Sequence, residues 1–193
     1  QPNSFLGRWR GDVGNREADK RIAEALEKGS IIHDCCEKLC NGWHIVYQNT
    51  QLTNPNIADK AIKQLEDDND GKVYVTHKQE IQVQVARFER LLDILKTEII
   101  EIERHIHYTR DIFFGGTIDY VMKVEEGEYQ ISTGRSEKIK GGYYVVDLKT
   151  GKTADESYFT QLAPYVQAYQ SVNPDIKIDG AMLIHLNSNN KTG

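Results

Sequence analysis

Three residues in the second half of the chain, Asp119, Asp147 and Lys149, are of the types that phosphodiester hydrolysis requires. That reaction needs a divalent cation to polarise the phosphate and lower the pKa of water, and carboxylates to hold the cation. It also needs a cationic group to orient the attacking oxygen or stabilise added charge. Asp147 and Lys149 are two apart, so on a strand they share a face, and one carboxylate and one ammonium can converge on a single metal-bound water. Leu148 between them turns its side chain into a core, and its carbonyl could supply a further ligand. The triplet alone carries little weight, because a chain of this size should hold on the order of one Asp-x-Lys by chance. Its context carries more: it ends an apolar run, Tyr143 to Val146, which a surface pair at a strand end does not explain. Asp119, set between Ile118 and Tyr120, is either a buried carboxylate with a partner or a ligand.

The elements that must position these groups follow from hydrophobic period. Ile22, Ala25 and Leu26 mark a helix from Asn15 to Lys28, which Gly29 interrupts; a second helix, with Ser30 as N-cap, runs to about Cys40 and has His33 in its first turn. A third carries Ile57, Ala61, Ile62 and Leu65 and ends in the acidic run Glu66 to Asp70. The longest should span Thr76 to Lys96, where Ile81, Val85, Phe88, Leu92 and Leu95 recur at helical steps. The period then changes. From Glu98 to Thr109 apolar Ile100, Ile102, Ile106 and Tyr108 alternate with polar residues, as in a strand with one polar face. A turn near Arg110-Asp111 leads into a strand from Ile112 to Val124, then a polar, hairpin-like segment, then a strand from Gly142 to Thr150. On this last strand Tyr143, Val145, Asp147 and Lys149 point one way and Tyr144, Val146 and Leu148 the other. A helix from Asp155 to Gln170 and a strand from Ile178 to Leu186 complete the order. This predicts one α+β or α/β domain over residues 1–193, with a helical N-terminal half and a mixed sheet flanked by helices.

Four segments, in this order, resemble the RecB-type branch of the PD-(D/E)xK nuclease superfamily, which includes viral exonucleases and the mitochondrial genome maintenance exonuclease. Gly29-Ser30-Ile31-Ile32-His33 resembles its Gly-x-x-x-His segment and Gly116-Thr117-Ile118-Asp119 its Gly-x-x-Asp segment. Val146-Asp147-Leu148-Lys149-Thr150 resembles the central strand, and Gln161-Leu162-Ala163-Pro164-Tyr165 the Gln-x-x-x-Tyr helix. The match runs through most of the chain. It implies a restriction-endonuclease-like fold, His33, Asp119 and Asp147 as metal ligands, Lys149 as the catalytic lysine, and Gln161 with Tyr165 positioning substrate. An oxygen-rich site with one imidazole suits Mg²⁺ or Mn²⁺. The implied activity is hydrolysis of DNA from ends or on single strands. An endonuclease of the same fold, or a non-catalytic nucleic-acid-binding subunit working with recombination or replication proteins, is the alternative.

Some residues carry two readings. Glu103, sixteen residues before Asp119, is either an auxiliary carboxylate, of a kind the family often has near its site, or a solvent-facing residue beside Arg104. Tyr158 and Tyr169 lie at helical spacing with Leu162 and Tyr165 and are either auxiliary to the site or core. Pro164 departs from the family segment and should weaken or kink its helix. Among Cys35, Cys36 and Cys40, a helix would place Cys36 and Cys40 on one face with His33, joined by His44 if it ran past Asn41-Gly42, as a zinc or iron-sulfur site requires, but buried thiols acting as small hydrophobes are the plainer account. No iron-sulfur cluster is expected, since relatives that have one use cysteines after the final helix and strand.

Net charge is -5, which argues against a broad polyanion-gripping surface, but Arg8, Arg10, Arg16, Lys20 and Arg21 crowd the start. A local phosphate contact by Arg8, Arg10 and Arg16 is therefore expected, with surface solubility as the alternative. No run approaches the roughly 18 to 20 apolar residues of a membrane span, and the start lacks the order of a signal peptide. A soluble intracellular protein, bacterial or of a virus-infected cell, is the expectation, with both ends of the domain open to trimming.

Overall fold

The computed structural model describes residues 5–41, 47–48, 51–52, 77–108, 114–132, 134–151 and 157–187. It begins with helices α1 (Phe5–Val13) and α2 (Asn15–Cys40), parted at Gly14, whose φ of 82° the helix interior does not allow. A two-residue antiparallel pair, β1 (Tyr47–Gln48) with β2 (Gln51–Leu52), precedes helix α3 (Lys78–Ile94). Then come β3 (Glu98–Tyr108), β4 (Phe114–Val124), β5 (Gly127–Ser132), β6 (Arg135–Ile139) and β7 (Gly142–Lys149). Helix α4 (Ser157–Val172) and β8 (Ile178–His185) complete the order. The helix expected around Ile57 to Leu65 lies outside the described residues.

Gly29 does not interrupt the first long helix, and Ser30 is not an N-cap: α2 is continuous for 26 residues. An interior glycine costs a helix about 1 kcal/mol relative to alanine. Ile31, Ile32, Cys35, Cys36 and Leu39, all buried beyond it, offset that cost through core packing. The glycine instead allows close approach, since a Cβ there would lie 3.2 Å from Thr150 Oγ1, just past the end of β7. His33 accordingly sits in the second half of α2, not in a first turn.

The main sheet has the order β3-β4-β7-β8. The first three strands are antiparallel, and β8 joins β7 in parallel by way of α4, so the sheet is mixed. The polar segment between β4 and β7 forms its own hairpin, β5 with β6. Each sheet face has a core. On one, α2 and α3 bring Ile32, Cys36, Ile81, Val85 and Phe88 against Tyr120, Met122, Val146 and Leu148. On the other, α4 brings Leu162, Ala168 and Tyr169 against Ile106, Ile118, Val121 and Val145. Val145 thus faces one core and Val146 and Leu148 the other, as strand alternation requires. The result is an α+β sandwich of helices, sheet and helix. No described helix is long and apolar enough to cross a membrane.

Candidate active site

The candidate residues gather where β3 and β4 change the face they bury. Ile102 packs on the α2/α3 side while Ile106, four positions on, packs on the α4 side; Ile118 and Tyr120 divide in the same way across β4. Strict alternation would keep each pair on one face. The switch falls at Glu103, whose φ of 47° is left-handed, and the ladder passes from Ile102↔Tyr120 to Arg104↔Ile118 without pairing Glu103 and Asp119. This distortion releases both carboxylates from regular strand geometry and brings them towards His33 on α2. His33 Nδ1 is 3.9 Å from Asp119 Oδ2, and His33, Glu103 and Asp119 each present a potential ligand atom within 4.8 Å of the others.

Asp119 is the electrostatic centre of the group. Its side chain is only 16% exposed, and its Oδ2 accepts a 2.7 Å hydrogen bond from the Leu148 backbone N–H. Burial raises its carboxyl above the usual range; the Leu148 hydrogen bond and His33 act against that, and the charge of Asp147 adds to it. The Glu103 carboxyl is also raised, first by burial and then by Asp119. A mostly buried carboxylate, Asp119, an exposed one, Glu103, and an imidazole make a donor set that fits a hard divalent cation such as Mg²⁺ or Mn²⁺.

Asp147 and Lys149 share a face of β7 as their spacing requires, but their contact is mutual. Lys149 Nζ donates to Asp147 Oδ1 at 3.1 Å and lies 2.8 Å from Oδ2. The Tyr158 ring covers the same ammonium, with its centroid 4.7 Å from Nζ. Of the four expected ligands, then, His33 and Asp119 stand together, Asp147 is turned to Lys149, and Leu148 contributes its N–H to Asp119. Glu103, read from the sequence only as auxiliary, completes the close group. The expected turn carried the missing signal, because 103 and 119 are both eight residues from position 111 and so stand opposite in a hairpin centred there.

The other segments close around this group. A Cβ at Gly116 would lie 2.5 Å from the Tyr165 hydroxyl, so the glycine makes room for that side chain, which also packs on Phe114 with ring centroids 5.0 Å apart. Burial and the charges of Asp147 and Asp119 raise the Tyr165 phenol. Tyr169 proves to be core, fully buried with its hydroxyl donating to Glu101 at 3.0 Å. Gln161 is exposed on α4. That helix continues through Pro164, held on both sides by buried Leu162, Ala168 and Tyr169, although the proline denies Thr160 its usual N–H partner. Past Lys149, the Leu186 N–H donates to the Lys149 carbonyl at 2.9 Å, and His185 Nε2 lies 2.7 Å from the Gly151 carbonyl, fixing the chain beside the site.

Two groups lie elsewhere. Arg10 pairs with Asp19 at 2.7 Å, fourteen residues before His33 on α2 or about 21 Å along the axis at 1.5 Å per residue. The side chain of Arg8 lies outside the described residues. Cys35, Cys36 and Cys40 are free thiols packed in or against the α2/α3 core. Burial pushes Cys35 and Cys40 up to about 12 and Cys36 well above the usual thiol value, which disfavours the thiolate that binds metals. No protein-family model matches the chain, and no curated protein matches it.

Proposed function

We propose that this chain is a metal-dependent DNA nuclease with a restriction-endonuclease-like fold, of the RecB-type PD-(D/E)xK kind, and that it acts as an exonuclease on ends or single strands. The observation that carries the reading is the convergence of His33, Glu103 and Asp119 next to a lysine clamped by Asp147. In the proposed reaction these three residues hold Mg²⁺ or Mn²⁺, which when bound supplies phosphate polarisation and a water of lowered pKa. The Leu148 N–H holds the Asp119 carboxylate beside His33 through Oδ2. Asp147 and the Tyr158 ring restrain Lys149, whose ammonium stands against the charge that grows on the phosphoryl oxygens. Tyr165 and exposed Gln161, four apart on α4, offer hydrogen bonds to the phosphate chain.

The test is cleavage of labelled single- and double-stranded DNA with Mg²⁺, Mn²⁺ or EDTA, by wild type, Asp119→Ala and Lys149→Ala. End-blocked and circular substrates run beside it. Cleavage that needs the metal and a free end, and is lost in both variants, is expected. Cleavage in EDTA, or full activity in both variants, contradicts the assignment; cutting of circles makes the enzyme an endonuclease.

A further inference from the structure

Glu101 and Arg104 are three apart on β3, yet both turn to the α4 side of the sheet. In a regular strand, residues three apart point to opposite faces. Here Glu101 pairs with Val121 and Arg104 with Ile118, and both of those partners lie in the core under α4. The face switch at Glu103 is what brings the two side chains together, with Arg104 Nε 3.4 Å from Glu101 Oε2. The other oxygen, Oε1, accepts a 3.0 Å hydrogen bond from the hydroxyl of Tyr169, which α4 holds fully buried in that core. Both oxygens of one carboxylate are thus engaged, one from the helix and one from across the switch. Core packing alone does not call for this arrangement, since a phenylalanine at 169 would fill nearly the same volume with no hydroxyl to satisfy.

We propose that Tyr169, Glu101 and Arg104 are positioning residues for the cation site, a clasp that holds the left-handed backbone of Glu103 and so keeps its carboxylate beside His33 and Asp119. The inference rests on the divalent-cation reading of that group and deepens it by naming what sets its geometry. A left-handed residue other than glycine is sterically costly and persists only where its surroundings fix it. Glu103 has a φ of 47°, makes no ladder pair with Asp119 and is itself exposed, so its own side chain is not what anchors its backbone. The clasp grips the residues two before it and one after it. The ladder is also irregular just upstream, between Ile99 and Glu101, and side-chain contacts must place what regular pairing does not. Were β3 to relax to strict alternation, Glu103 would follow Glu101 to the α4 side, away from His33 on α2.

Titration of Mn²⁺, followed by the electron paramagnetic resonance of the free ion, tests this in wild type, Tyr169→Phe and Glu101→Leu, each with and without Glu103→Gln. Tyr169→Phe keeps the buried ring and removes only the hydroxyl; it should weaken Mn²⁺ binding by about 10-fold, the scale for a group that orients a ligand. Glu101→Leu severs both contacts and should lose at least as much. Glu101→Gln still offers Tyr169 an acceptor and should lose less than Glu101→Leu. In the Glu103→Gln background, Tyr169→Phe and Glu101→Leu should each change affinity by less than about 2-fold, because the ligand through which they act is already gone. Wild-type affinity in both Tyr169→Phe and Glu101→Leu overturns the clasp alone. So does a loss of the same size with and without Glu103→Gln, which a general loosening of the fold would give. Absence of saturable Mn²⁺ binding by wild type brings down the cation reading with it.

Discussion

The two ends of β7 hold the same kinds of residue, an aspartate, a lysine and tyrosines, and use them in opposite ways. At the start, Asp179 of β8 accepts the Tyr143 N–H at 3.2 Å and the Lys140 ammonium at 2.8 Å, while the Tyr144 hydroxyl donates to the Lys140 carbonyl at 2.7 Å. Its carboxyl is held below the usual range, first by the Lys140 hydrogen bond and then by Tyr143. At the other end, Asp119 is raised by burial that its hydrogen bond and His33 do not cancel, with Glu103 raised beside it. A carboxylate that its own fold satisfies closes a strand. One that its fold desolvates and leaves short of positive charge is ready for a ligand.

The contrast can be broken at several strengths. The largest expected effect is on turnover: Asp119→Ala should lower kcat for DNA cleavage by about 10³-fold or more, the scale of lost electrostatic stabilisation, while Asp179→Ala stays within about 3-fold of wild type. Next comes metal affinity. Glu103→Gln should weaken Mn²⁺ binding, read by calorimetry, by roughly 10- to 100-fold, an effect Lys140→Ala should not share. Smaller again are the glycines. Gly142→Ala, with φ at 153° and its Cβ directed onto the Asp179 carboxylate, should lower unfolding free energy in urea by about 1 to 3 kcal/mol. Gly116→Ala should displace Tyr165 and act mainly on activity. Glu103→Gly should be about 1 kcal/mol more stable than Glu103→Ala, because only glycine adopts the left-handed backbone at no cost.

The smallest effect has opposite signs at the two ends. A raised carboxyl such as Asp119 favours folding while protonated, so its contribution is lost as pH climbs from the ordinary value of 3.8 through the raised one. A lowered carboxyl such as Asp179 contributes above 3.8 and loses that contribution as pH falls through its lowered value. In metal-free thermal melts from pH 3 to pH 7, Asp119→Asn should gain stability on wild type as pH rises and Asp179→Asn should lose it. The same sign for both would remove the distinction.

The sequence shows much of the frame because burial on one side leaves a period. The apolar steps from Ile81 to Leu95 locate α3 to within two residues at each end, and the alternation after Glu98 locates β3. Asp147 and Lys149 share a face because spacing on a strand decides it. What periodicity cannot carry is a departure from itself. The face switch at Glu103 comes from one left-handed residue, which no glycine or asparagine announces, and so the third member of the close group reads as auxiliary. Gly29 misleads for a related reason: as a local signal it marks a break, while its tertiary use is close approach to Thr150. Asp147 has the expected neighbours, but a pair two apart can converge on a third party or on itself, and here Lys149 and Asp147 contact each other.

On the proposed reading, the end of β7 beside Asp119 binds a divalent cation and the end beside Asp179 does not. Titration of Mn²⁺ into wild type, Asp119→Ala and Asp179→Ala, followed by the electron paramagnetic resonance of free Mn²⁺, distinguishes the two ends. Saturable binding in wild type and Asp179→Ala that is lost in Asp119→Ala is the expected result. Equal binding in all three, or none in wild type, would contradict it.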